Sequence, residues 1–121
     1  MNQPAQMTKG SVEHARRINR RLVLDLARRN APIARHNISD VTGLTEAAVS
    51  RIARELINAG LLREVGAPRG TSKPGRPSVG MSINPRGAFV FGFDIGANAQ
   101  SISICDAVGH VVARVKSARL A

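Results

Sequence analysis

Apolar positions recur at helical spacing through the first half of the chain and alternate like strands near its end. Between about Val12 and Asn30, Ile18, Leu22 and Leu26 stand four apart, with Val23 and Ala27 widening the stripe. Arg16-Arg17, Arg20-Arg21 and Arg28-Arg29 load the other side, which predicts an amphipathic helix with Ile18, Leu22 and Leu26 as its core stripe. Pro32 stops this helix and biases Ala31 towards extended backbone.

The next stretch, RHNISDVTGLTEAAVSRIARELINAGLL from Arg35 to Leu62, organises the rest. Ile38 and Val41 give a short helix one apolar stripe, and Ser39 is small enough for a close helix crossing. Gly43 can adopt the positive φ that ends that helix sharply, and Leu44 then fills the corner. Thr42 stands where such a turn more often carries an apolar residue. Thr45 is suited to cap the next helix, its hydroxyl accepting from an otherwise unpaired backbone N–H. Val49, Ile52, Ala53 and Leu56 then follow the three-and-four spacing of one buried face. Glu46, Ala47, Ser50, Arg51 and Arg54 are left pointing outward, and Asn58-Ala59-Gly60 closes the helix with a glycine at C′. Helix, tight turn, helix with an outward polar face is the geometry that lets a second helix enter a DNA groove while its back stays docked. The competing reading is an ordinary αα-hairpin of some other helical domain.

After Gly60, Leu61 to Val65 reads as a strand and Met81 to Asn84 as its returning partner. Between them lies GAPRGTSKPGRPSVG, rich in glycine, proline and cations. Strand, cationic loop, strand directly after a recognition helix describes a winged helix. Pro74-Gly75-Arg76-Pro77 resembles the core of an AT-hook, in which an extended arginine fits the narrow A·T minor groove. Arg69 and Lys73 lie beside it. A plain turn with a solvated arginine is the alternative.

Asn84-Pro85-Arg86-Gly87 breaks the chain. Three strand-like runs follow, Ala88 to Asp94, Gln100 to Cys105 and His110 to Lys116, and predict a β-meander. Phe89, Phe91 and Phe93 fall on one face of its first strand, and so small a sheet buries too little to be stable alone.

Charge sharpens this division. Residues 1–86 hold 15 of the 18 Lys and Arg and 6 of the 8 Asp and Glu, a formal +9 against +1 for the remainder. The asymmetry points to a polyanion partner for the first part only. Arg outnumbers Lys 15 to 3, which suits bidentate contacts to phosphate or guanine. A ribosomal or membrane-surface protein would share such a composition, and the paired arginines of the first helix fit a solvated face as well as they fit phosphates. Cys105 is the single cysteine and reads as a packed core thiol, so no disulfide forms within the chain. His14, His36 and His110 are scattered, and no metal-ligand cluster is spelled out. The N-terminus has no apolar signal region and no run reaches membrane-spanning length, so a cytoplasmic protein without a membrane partner is expected.

The stretches TGLTEAAVSRIARELINAGLLREVG, GRPSVGMSINP and GFDIGANAQSISICDAVGHVVAR resemble the N-terminal third of ROK-family proteins (repressors, uncharacterised reading frames and sugar kinases), over roughly residues 12–121. The resemblance implies a winged helix that binds an operator as a dimer, followed by the first hairpins of an actin-like, ribonuclease H-like nucleotide-binding domain. In that family a sugar or sugar phosphate bound by the second domain alters DNA affinity. Ala34 stands where the family has a capping Ser or Thr, which should weaken that cap by about 1 kcal/mol. Asp94-Ile95-Gly96-Ala97-Asn98 replaces the family's Asp-x-Gly-Gly-Thr phosphate loop, so Asp94, Gly96 and Asn98 form a degenerate version of it. The family's catalytic aspartate, sugar contacts and zinc cluster lie beyond Ala121. The expectation is therefore a fragment or truncated product, or a regulator working without its sensor.

The expected class is α+β: a disordered arm over 1–11, a winged helix-turn-helix over 12–86, and over 87–121 a meander that is the truncated start of the actin-like domain. The expected function is that of a sequence-specific DNA-binding regulator, a repressor of sugar-related genes and not an enzyme. Thr45, Glu46, Ala47, Ser50, Arg51 and Arg54 would meet the major groove, and Arg69, Lys73 and Arg76 the minor groove. Double-stranded DNA and a second copy of the chain are the expected partners; no cofactor is expected, nor a sugar effector in so short a chain. The alternatives are a sugar kinase fragment, with Asp94 and Gly96 positioning Mg-ATP, and a non-catalytic module pairing through its Phe-bearing strand.

Overall fold

The computed structural model describes residues 8–66 and 79–118. Helix α1 (Lys9–Arg29) leads through a short strand β1 (Ile33–Ala34) into α2 (Arg35–Thr42) and α3 (Glu46–Asn58). The wing strands β2 (Leu62–Val65) and β3 (Gly80–Ile83) follow, then a meander of β4 (Phe89–Ile95), β5 (Ala99–Asp106) and β6 (Val111–Ala118). The strands form two antiparallel sheets, ordered β1-β3-β2 and β4-β5-β6. This is the expected α+β arrangement of a winged helix-turn-helix followed by a small sheet.

Several local expectations change. Helix α1 starts at Lys9, inside the stretch expected to be a disordered arm. Ser11 secures that start, its Oγ and backbone N–H both donating to the Thr8 carbonyl at 2.7 and 2.9 Å. Residues 1–7 lie outside the described residues.

The core face of α1 is also rotated from the expected stripe. Val23 and Ala27 are fully buried, whereas Ile18 and Leu22 remain 45% and 43% exposed. Arg16, Arg20, Val23 and Ala27 share one face at helical spacing, and Arg16 and Arg20 reach Glu55 of α3. The face that carries this ion pair and the small Ala27 is the one turned inward, and Ile18 and Leu22 lie one step around the helix. On α2, Ile38 is buried but Val41 is 68% exposed, so the short helix docks through Ile38 alone of that pair.

Strand β1 has no signature in the sequence, because two residues carry no periodicity. Ile33 pairs with Met81 and Ala34 with Gly80, adding a third strand to the wing sheet. The core then unites Val23 and Ala27 with Ile33, Ile38, Leu62, Met81, Ile83 and the α3 residues Val49, Ile52, Ala53 and Leu56.

In the meander, Phe91 faces Ile104 and Phe93 faces Ile102, and Ile102 in turn faces Val115. Strand alternation therefore gathers these apolar residues on one face and leaves Asp94, Ser101, Ser103, Arg114 and Lys116 on the other. Asp106 organises the turn before β6, its Oδ1 accepting from the Val108 and His110 N–H groups at 3.0 and 2.9 Å. Burial pushes that carboxyl up, but the two backbone donors and the nearby His110 ring outweigh it and hold the pKa below the ordinary value. Cys105 is half-buried rather than fully packed.

Candidate nucleic-acid interface

The turn between α2 and α3 is built by side-chain hydroxyls around one glycine. Gly43 adopts φ 71° and ends α2. Ser39 Oγ donates to the Leu44 carbonyl at 2.6 Å, so its small size serves a hydrogen bond across the turn as well as a close crossing. Thr42, unusual for its position, is fully used: its Oγ1 donates to the Ile38 carbonyl at 2.6 Å and accepts from the Leu44 N–H at 3.2 Å. Ala34 precedes α2 without any side-chain cap, as its residue type dictates.

Helix α3 is secured at both ends. Thr45 Oγ1 accepts from the Ala48 N–H at 3.1 Å, satisfying one of the orphan donors of the first turn. At the other end Gly60, with φ 76°, donates to the Ile57 carbonyl, and Leu61 donates to that of Leu56, both at 2.9 Å. This is the Schellman pattern, with Leu61 packed back towards the core as the motif favours.

Between these ends the helix is strictly two-sided. Val49, Ile52, Ala53 and Leu56 are buried, while Glu46, Ala47, Arg51 and Arg54 are exposed and Ser50 is half-exposed. Asn58 lies on the same outward stripe at the spacing of Ala47, Arg51 and Arg54. Continuing the helical count past Arg54 would have found it in the sequence.

Cations divide into paired and unpaired sets. On α1, Arg20 donates from Nε and Nη2 to Glu55 Oε2 at 3.0 and 2.8 Å, and Arg16 reaches Oε1 at 3.3 Å. Hydrogen bonding from Arg20, opposed by burial and assisted by the charge of both arginines, lowers the Glu55 carboxyl below its ordinary value. Arg28 and Arg29 both pair with Asp25, and Arg28's hydrogen bond is the largest cause of that carboxyl's lowered pKa. Arg35 bonds Glu64 at 2.7 Å. Arg51 and Arg54, by contrast, have no acidic partner among the described residues. The structure thus brings together Thr45, Glu46, Ala47, Ser50, Arg51 and Arg54 on one helix. Arg69, Lys73, Arg76 and the AT-hook-like tetrapeptide lie outside the described residues.

The stretch Asp94 to Asn98, expected to be a degenerate phosphate loop, lies at a tight hairpin between β4 and β5. Its Gly96 N–H donates to the Ala99 carbonyl at 3.0 Å, and so is used within the hairpin rather than offered to an anion. Asp94 and Asn98 are exposed. No group of three or more potential metal ligands occurs among the described residues, and no helix there is long and apolar enough to cross a membrane.

Comparison with known proteins matches residues 16–63 to the family described as winged helix-turn-helix DNA-binding. The xylose repressor of Bacillus spizizenii is 30% identical over 97 residues, covering 80% of this chain and 25% of its own length. The DNA-binding transcriptional dual regulator NagC of Escherichia coli is 28% identical over 113 residues, covering 93% of this chain and 27% of its own. A crystal structure of a ROK-family transcriptional regulator, described as a homologue of the E. coli MLC protein, superposes with a TM-score of 0.67 at 30% identity. It covers 87% of this chain and 26% of that one. The chain therefore spans about a quarter of the length of the relatives it matches.

Proposed function

Because this chain is a winged helix-turn-helix protein homologous over most of its length to ROK-family transcriptional regulators, we propose that it is a sequence-specific DNA-binding regulator that represses sugar-related genes. The observation that carries this reading is the two-sidedness of α3. Its apolar face is buried while Arg51 and Arg54 stand outward with no acidic partner among the described residues. Unpaired guanidiniums on a docked helix suit bidentate contacts to guanine or to phosphate. Helix α3 enters the major groove, where Ser50, Arg51 and Arg54 meet base edges or flanking phosphates. Ala47 meets a thymine methyl, and Thr45 and Glu46 lie at the groove end of the helix. Arg69, Lys73 and Arg76 of the wing reach the neighbouring minor groove.

Two copies reading a palindromic site complete the proposal, since half-site symmetry mirrors protein symmetry. The xylose repressor and NagC among the relatives support a regulatory rather than an enzymatic role. The test is selection of bound duplexes from a random pool at two salt concentrations. Recovery of a common motif, with affinity falling as salt rises, is the expected result, and the slope reports the number of phosphates neutralised. Enrichment of no motif at either salt would overturn sequence-specific binding.

A further inference from the structure

The last turn of α3 is tied to the meander through the four-residue corner Asn84-Pro85-Arg86-Gly87. Strand β3 ends at Ile83, and Asn84 then makes contacts in two directions. Its Nδ2 donates to the carbonyl of Gly60, the glycine that closes α3, at 2.7 Å. Its backbone N–H donates to the Leu61 carbonyl at 2.9 Å, and its Oδ1 accepts from the Arg86 N–H at 3.2 Å. Gly87 closes the same corner: a Cβ there would lie 2.4 Å from the Gly60 oxygen and 3.1 Å from the Leu61 Cα. Only a residue without a side chain lets the chain pass so near. From the far side, the Ala107 N–H in the β5–β6 turn donates to the Pro85 carbonyl at 3.0 Å, and Ala107 itself packs against the core.

We propose that Asn84 is a positioning residue that fixes the C-terminal end of the recognition helix to the meander, so that displacement of the β5–β6 turn is passed to α3. The proposal rests on the reading of α3 as the DNA-contacting helix. The path is short and runs through three hydrogen bonds: the Ala107 N–H to the Pro85 carbonyl, the Asn84 side-chain amide to the Gly60 carbonyl, and the Gly60 N–H to the Ile57 carbonyl. Either a shift of the meander bends the Asn84 side chain away from Gly60 or the helix end follows. The Asn84 N–H bond to the Leu61 carbonyl opposes the first by holding the corner to the helix end, and the close approach of Gly87 to Gly60 leaves no room for a shift in the other direction. A ligand or neighbouring segment acting on the meander would thus alter how α3 presents Arg51 and Arg54 without touching either.

The test uses the chain of residues 1–121 and two readouts, amide hydrogen exchange and duplex affinity. Asn84→Ala should speed exchange at Gly60 and Leu61 and at Ala107 together, leaving Val49 and Ile52 unchanged. Affinity for the selected duplex should fall roughly 5-fold or more, as for a modest coupling between sites, while affinity for a scrambled duplex is retained. Asn84→Asp, which keeps the acceptor for Arg86 but loses the donor to Gly60, should behave like Asn84→Ala. Gly87→Ala, placing a methyl against Gly60, should give the same pattern. Faster exchange confined to residues 84–87, or equal loss of affinity on both duplexes, would overturn the positioning role. A protein that binds no duplex removes the DNA reading, but the joint response of Gly60 and Ala107 in exchange still decides the coupling.

Discussion

Arg20 of the first helix places both Nε and Nη2 on a single oxygen of Glu55 on α3, at 3.0 and 2.8 Å. The contact spans 35 residues of sequence and joins α1 to α3. Both partners are about one-third exposed, so water screens the pair, and its chief role is to fix orientation. Glu55→Gln should lower the melting temperature at neutral pH. The folded-state pKa of Glu55 lies below its ordinary 4.5. Its contribution is therefore complete above about pH 5.5 and disappears as pH falls through the folded-state value. Melting curves of the wild type and Glu55→Gln, separated at pH 7, should converge in acid; a constant separation down to the lowest pH would rule out the charge as the cause.

Val23 and Leu22 are neighbours in sequence and opposites in burial, at 0% and 43% exposure. Val23→Ala should cost about 2 kcal/mol through lost transfer energy and a residual cavity. Leu22→Ala should cost less than about 1 kcal/mol, as at other open positions. Urea denaturation of both variants measures the difference, and equal costs would mean α1 docks on the stripe its larger apolar residues suggest.

That contrast shows where the sequence was legible. The turn and α3 could be read residue by residue, since Gly43, Thr45, Val49, Ile52, Leu56 and Gly60 each have one physically favoured place in a helix-turn-helix. The meander followed from strand alternation and agreed within a residue or two at each end. In helix α1 periodicity ranks residues by apolarity, whereas the buried face carries the small Val23 and Ala27 in line with arginines that meet Glu55, a residue far along the chain. Strand β1 and the Asn84 corner were hidden for a related reason. Both depend on which distant backbone comes close, and no local spacing encodes that.

Thr45 accepts from the Ala48 N–H at the start of α3, and Glu46 is the only acidic residue in that first turn. Thr45→Ala should cost about 1 kcal/mol, and Thr45→Ser should recover most of it because the hydroxyl is kept. Chemical denaturation of the pair checks this. A serine variant as unstable as the alanine one would mean the threonine methyl, and not the cap, stabilises the helix start.

Arg51 and Arg54 stand one helical turn apart on the exposed side of α3. Under the proposed function, Arg51→Ala should weaken binding by about 1–3 kcal/mol and relax specificity at one base pair if its guanidinium is bidentate to guanine. Titrating the selected duplex and its single-base variants separates the roles. Equal weakening on every sequence would make Arg51 a phosphate contact, with the salt dependence reduced by about one charge.

Phe89, Phe91 and Phe93 are 50%, 60% and 69% exposed along one face of β4, with Ile102 and Val115 beside them. An aromatic side chain carries about 150–250 Å² of surface, so these three alone leave roughly 300–450 Å² of apolar area in water, comparable to the roughly 300–600 Å² of a typical monomer's largest patch. The proposed pairing of two copies has its strongest physical cause here. Phe91 occupies the middle of the strand and faces Ile104, so Phe91→Ser removes the centre of the patch while leaving the backbone pairing of β4 with β5 intact. Light scattering should then report a dimer for the wild type and a monomer for Phe91→Ser. With the two-fold pairing gone, affinity for a palindromic duplex should fall towards that for a half-site. A dimer that survives the substitution would place the contact elsewhere and leave this face to a different partner.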